Sequence, residues 1–143
     1  MKHQLKAGFT LVEILIVVVI LGILASVVVA NTKSVTTDAS VTATTTELAK
    51  IRRAVEVYRV RNSDSLPQVE AGSGSWGPIV SDRDYLKEAP RNPYVGSENA
   101  MVITLADAPD SDYQTEHGWI YNNETGQVWA GGFDENDQPI ARP

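Results

Sequence analysis

Lys6-Ala7-Gly8-Phe9-Thr10-Leu11-Val12-Glu13 places a single carboxylate just inside an otherwise unbroken apolar run, residues 14–30. A carboxylate at bilayer depth costs about 2.5–3.5 kcal/mol on insertion scales, so an acid there needs a cationic partner. The nearest one is an α-amino group at Phe9, which a cut between Gly8 and Phe9 would create. The same cut removes Lys2, His3 and Lys6 and leaves a chain that begins apolar with one acid. Counted from Phe9, the run is just long enough to span a bilayer. The alternative is an ordinary signal peptide cleaved after Val28-Val29-Ala30, which would release a soluble extracytoplasmic domain. That reading gives Glu13 no role, because an acid at the head of the apolar region only weakens insertion.

Beyond Ala30 the helical pattern continues to about Arg61. Val41, Leu48, Ile51, Val55 and Tyr58 recur at spacings near three and four, while Glu47, Lys50, Arg52, Arg53, Glu56 and Arg59 take the other faces. The spacing predicts one helix from Phe9 to about Arg61, roughly 80 Å at 1.5 Å per residue. Its second half is amphipathic and should lay one stripe on a globular head. The Thr-rich segment 36–46 has mediocre helix propensity and reads as a solvated face. Gly22, the one glycine of the apolar half, suits close approach of another helix.

The residues Gly8, Phe9, Thr10, Leu11, Val12 and Glu13, behind a short basic leader and ahead of an apolar helix, resemble the type IV filament superfamily of type IV pilins and type II secretion pseudopilins. The resemblance implies cleavage between Gly8 and Phe9 by a prepilin peptidase and N-methylation of Phe9. It also implies assembly through Phe9 and Glu13 into a filament rooted in the bacterial inner membrane, with an assembly platform and sister pseudopilins as partners. The stretch Tyr85-Leu86-Lys87-Glu88-Ala89-Pro90-Arg91-Asn92-Pro93-Tyr94 is similar to the major-pseudopilin segment in which a Tyr-Leu-Lys turn precedes two spaced prolines. Asn92 stands where that segment usually has Asp, and the Trp-Gly that commonly follows is absent. The helix-breaking proline common in the family is also missing, since no Pro occurs before Pro67.

Composition bounds what remains. The chain has no cysteine, which excludes disulfides and thiolate metal sites, so an extracytoplasmic head must be held by packing alone. Residues 1–62 carry eight Lys and Arg against four acids, and residues 63–143 carry four against fourteen. So acidic a head argues against nucleic acid as the main partner.

The cluster Arg61-Asn62-Ser63-Asp64-Ser65-Leu66-Pro67 should stop the helix, and Gly72-Ser73-Gly74-Ser75 reads as a flexible surface loop. A short helix is expected over residues 81–87, with Ser81 as N-cap and Asp84 completing a capping box. Strands are expected over residues 101–105, 118–121 and 127–130, the last two joined by a hairpin loop with Gly126 at positive φ. Pairing Tyr121 with Gln127 would set Trp119 opposite Trp129, as sheet packing or as a carbohydrate platform.

Catalytic chemistry finds little support. His117 is the only histidine left after leader removal, and it reads as a solvated surface residue beside Glu116; no nucleophile-elbow sequence occurs. Asp134, Asn136 and Asp137 supply oxygen ligands for calcium, which major pseudopilins often hold in a C-terminal loop, but their spacing fits no EF-hand and a solvated acidic turn is the simpler reading. No other cofactor is expected.

The sequence thus describes an α+β chain with a long N-terminal helix packed on a small antiparallel β-sheet head. It divides into a leader (1–8), a membrane and filament-core helix (9–30), an amphipathic helix (31–62) and a head (63–143). The function expected is a non-enzymatic filament subunit of type II secretion, anchored by a single pass with its head in the periplasm or outside the cell. A type IV pilin or minor pilin-like subunit, and a monomeric membrane-tethered binding domain, are the alternatives.

Overall fold

The computed structural model describes residues 10–143, with the side chains of residues 27–35 excepted. The chain falls into two compact units, Met1–Thr36 and Thr37–Pro143. Helix α1, Leu11–Arg61, runs through both. In the first unit the large apolar side chains from Leu11 to Leu24 are each at least half exposed, on every face of the helix. Among the described residues no helix is long and apolar enough to cross a membrane. The expected span 9–30 includes Phe9 and the side chains of 27–30, which lie outside the described residues.

α1 stops where the turn formers predict. Asn62 still donates its N–H to the Tyr58 carbonyl at 2.9 Å. Ser63 and Asp64 then take positive φ (54° and 67°), and the Asp64 N–H caps the Arg59 carbonyl at 2.9 Å. A left-handed residue here satisfies carbonyls that the helix end leaves without partners.

The second unit is built on the predicted stripe. Leu48, Ile51 and Val55 are buried in one core with Trp76, Ile79, Tyr94, Ile103, Trp119, Tyr121, Val128 and Phe133. Val41 packs against this core from its edge, and the Tyr58 ring lies 5.4 Å from that of Tyr85. Three aromatic rings meet edge-on at the centre, Trp76 lying 6.4 Å from Trp119 and 6.1 Å from Tyr121.

The sheet departs from expectation in three ways. It has four strands in the order β1-β2-β3-β4: β1 Gly72–Ser73, β2 Val102–Leu105, β3 Trp119–Tyr121 and β4 Val128–Ala130. First, the expected flexible loop contributes β1, which pairs antiparallel with β2, while the Gly74 N–H bonds to the Met101 carbonyl at 2.8 Å. Second, the sheet is mixed rather than antiparallel, because β2 and β3 run parallel. The connection over residues 106–118 is long enough for the crossover that a parallel pair demands. Third, the β3–β4 register is shifted by one residue, with Tyr121 opposite Val128 and Ile120 opposite Trp129. The Asn122 side chain accepts from the N–H groups of Glu124 (2.8 Å) and Thr125 (3.0 Å), and Asn122 rather than Tyr121 closes the loop on Gln127. A one-residue slip moves side chains to the opposite face, so Trp119 joins the core cluster and Trp129 turns away from it.

The expected helix over residues 81–87 is also displaced. The turn formed is α2, Pro78–Ser81, so Ser81 ends a helix instead of capping one. Pro78 presets the first helical position, and Gly77 before it sits at φ 55°, where a Cβ would collide with the Gln68 carbonyl. Ile79 anchors the turn in the core, and the short connection to Tyr85 then bends through Arg83 at φ 56°.

Candidate functional site

Gly8 and Phe9, the expected cleavage and methylation positions, lie outside the described residues. Glu13, the expected assembly residue, is placed in the first turn of α1. Its Oε2 accepts from the Thr10 N–H at 2.8 Å and from the Thr10 hydroxyl at 3.0 Å, while the Glu13 N–H donates back to Thr10 Oγ1 at 3.3 Å. Thr10-Leu11-Val12-Glu13 is therefore a capping box, satisfying two backbone donors that a helix start leaves free. The T-x-x-E spacing of this box is legible in the sequence itself, independently of the charge on Glu13. All three bonds engage Oε2 or the backbone, so among the described residues Oε1 is left for a further donor.

In the head, the residue of greatest consequence that sequence reasoning noted without a role is Asn92. It is fully buried and joins four segments. Its Oδ1 accepts from the Thr44 hydroxyl of α1 at 2.8 Å and from the Tyr94 N–H at 2.9 Å. Its Nδ2 donates to the carbonyls of Gly118 at 2.8 Å and Gly131 at 2.9 Å. Thr44, from the segment expected to be solvated, is fully buried as its partner.

His117 is not a solvated surface residue. Its Nε2 lies 3.1 Å from Asp110 Oδ1, with 16% and 13% of the two side chains exposed. Asp110 Oδ2 also accepts from Gln114 Nε2 at 2.7 Å and from the Gly132 N–H at 2.8 Å. Burial alone would raise the Asp110 carboxyl, but the bonds from His117, Gly132 and Gln114 outweigh it and hold the group below its ordinary value. Among the described residues no hydroxyl is hydrogen-bonded to His117, so the pair lacks a nucleophile. Its effect is to clamp the β2–β3 crossover onto the segment after β4.

Of the calcium candidates Asp134, Asn136 and Asp137, the two carboxylates have other partners. Asp134 Oδ1 caps its own turn, accepting from the N–H groups of Asn136 (2.8 Å) and Gln138 (2.9 Å). Asp137 is held by Arg52 of α1 at 2.6 and 2.9 Å, and the same guanidinium donates to the Val128 carbonyl at 2.8 and 3.1 Å. Among the described residues no three His, Cys, Asp or Glu side chains are grouped to hold a metal ion. A cation at this turn would have to compete with Arg52 for the Asp137 carboxylate. Nor do Trp119 and Trp129 form a platform, since they occupy opposite faces of the sheet.

An N-capped apolar helix behind a basic segment continues into an amphipathic half seated on a small α+β head, the arrangement of a structural subunit. Residues 4–29 match the prokaryotic N-terminal methylation motif family. The chain is 35% identical over 103 residues to type II secretion system core protein G of Pseudomonas aeruginosa, covering 66% of this chain and 72% of the relative. It is 30% identical over 141 residues to the protein of the same name from Klebsiella michiganensis, covering 95% and 94%. No solved structure is matched. The chain belongs to the type II secretion system core protein G family, as a structural pseudopilin rather than an enzyme.

Proposed function

We propose that this chain is made as a precursor with leader 1–8, cut between Gly8 and Phe9 by a prepilin peptidase and methylated on Phe9. It then assembles with copies of itself into a pseudopilus that acts in protein export. Residues 9–30 cross the inner membrane once in the stored subunit and become the filament core on assembly, with the head on the periplasmic side. The inner-membrane assembly platform and other pseudopilins are its remaining partners. The observation that carries this reading is Glu13, an acid held by a capping box at the start of a helix whose large apolar side chains are exposed on every face. A helix apolar all round has no stable place in water and belongs in lipid or among other helices. The new Phe9 ammonium of one copy can engage Glu13 of its neighbour, offsetting the desolvation of both and setting axial register.

The processing step is tested by intact-mass and N-terminal analysis of the protein from native membranes. A methylated Phe9 is expected as the first residue. A mature chain beginning at Asn31 would establish the ordinary signal-peptide reading instead.

A further inference from the structure

β4 is the last strand of the sheet, so one side of it has no strand beside it. Such an edge presents N–H and C=O groups to any extended chain unless something covers it. The register shows which groups of β4 face outward. The Asn122 N–H bonds to the Gln127 carbonyl at 3.0 Å, and the Gly131 N–H to the Gly118 carbonyl at 2.8 Å. Hydrogen-bonded pairs of an antiparallel ladder recur at every second residue, so Ile120 and Trp129 form the pair between these two. Val128 and Ala130 therefore turn their backbone groups away from β3.

Both outward carbonyls are taken from within the chain. That of Ala130 accepts from the Phe133 N–H at 3.2 Å. That of Val128 accepts twice from Arg52 of α1, from Nη2 at 2.8 Å and Nε at 3.1 Å. The same guanidinium holds Asp137 through Nη1 at 2.6 Å and Nη2 at 2.9 Å. Arg52 thus stands at the strand edge and fastens to it the turn 133–139, which is closed by the Asp134 N–H on the Gln138 carbonyl at 2.9 Å. Residues 128–130 are all buried, so the edge is covered. The Arg52 and Asp137 side chains stay 42% and 35% exposed, within reach of solvent and of a competing chain. Val128-Trp129-Ala130 itself carries no charge and no proline that would deter a partner strand.

We infer that Arg52, latched to Asp137, closes the outer edge of β4 against β4 of a second copy of this chain. The strand is self-complementary along that edge. Laid antiparallel on its own copy about Trp129, it sets Val128 of each chain opposite Ala130 of the other, where each pair exchanges two N–H···O bonds. The two Trp129 side chains then face each other across the strands. Such a contact is isologous and closes as a dimer, unlike the repeating contact of a filament. The latch keeps the heads from pairing off in this way.

The chain has no cysteine, so one thiol placed at the exposed Gln127 reports the contact. In the two-fold pair the two Gln127 Cα atoms stand about 14 Å apart, from a rise of about 3.4 Å per residue and a strand spacing of about 4.8 Å. A bismaleimide of that reach should join them. In the full chain held in excess detergent, Gln127→Cys alone should crosslink little. Adding Arg52→Met, which keeps an unbranched stem and removes the guanidinium, should raise the dimer fraction about tenfold, as expected for the loss of one bond to a charged group. Asp137→Asn unfastens the turn and should raise it by less; it decides the matter if Arg52→Met loses its fold by circular dichroism. Folded variants that crosslink no more than the Gln127→Cys parent would overturn the inference. So would association of Arg52→Met that the thiol at residue 127 fails to capture, because the contact would then lie elsewhere.

Discussion

At the scale of single residues, Asn92 shows how one amide can fix a small head. Burying a polar side chain is tolerable only when its hydrogen-bonding groups are paired, and Asn92 pairs all four with partners on α1, the turn at Tyr94, the start of β3 and the segment after β4. Aspartate has nearly the same shape but no N–H. Asn92→Asp would leave the Gly118 and Gly131 carbonyls facing a carboxylate, at a cost of about 2–5 kcal/mol for two unsatisfied buried acceptors. Urea denaturation should show the loss, and it should be smaller at pH 4 than at pH 8, because a protonated carboxyl can donate to one of the two carbonyls. An unchanged midpoint would mean that the four bonds do not contribute to stability. The sequence marked Asn92 as a departure from the similar segment but gave no hint of its partners, which lie 26, 39 and 48 positions away.

At the scale of elements, local chemistry predicted α1, its end and its buried stripe well, because periodicity and turn residues act within a few positions. It failed where a distant contact decides. Ser81 and Asp84 have the spacing of a capping box, yet the helix forms at Pro78 because Ile79 is drawn into the core. The hairpin slipped by one residue because a side-chain bond from Asn122, rather than Gly126 alone, sets the length of the loop. The parallel β2–β3 pairing depends on a crossover without a helix, held by the Asp110 clamp, and no periodicity announces it. Asp110 titrates below its ordinary value of 3.8 in the folded chain, so the unfolded chain binds more protons near that pH. Its stabilisation is therefore present above the ordinary value and is lost as pH falls through the lowered one. Thermal unfolding followed from pH 7 to pH 2 should show a drop in Tm below about pH 4. Asp110→Asn should start less stable at neutral pH and fall less steeply in that window. Parallel curves for the two proteins would remove Asp110 from the acid response.

At the scale of the whole molecule, the account joins an acidic head to a helix that begins with a capped carboxylate. Sequence alone supplied the motif, the apolar run and the charge division, which are properties of order along the chain. It could not supply the internal pairing of Asp137 with Arg52, which ties the turn after β4 to α1. The central claim is that Glu13 serves assembly and not anchorage. Glu13→Gln preserves shape while removing charge, and Glu13→Leu removes polarity altogether. Each variant should be expressed beside wild type, with membrane-bound subunit quantified against sheared filaments or crosslinked oligomers. The account expects membrane content equal to or above wild type for both variants, together with a severe loss of filaments. Filaments from both variants in wild-type amount would contradict it and favour a tethered monomer.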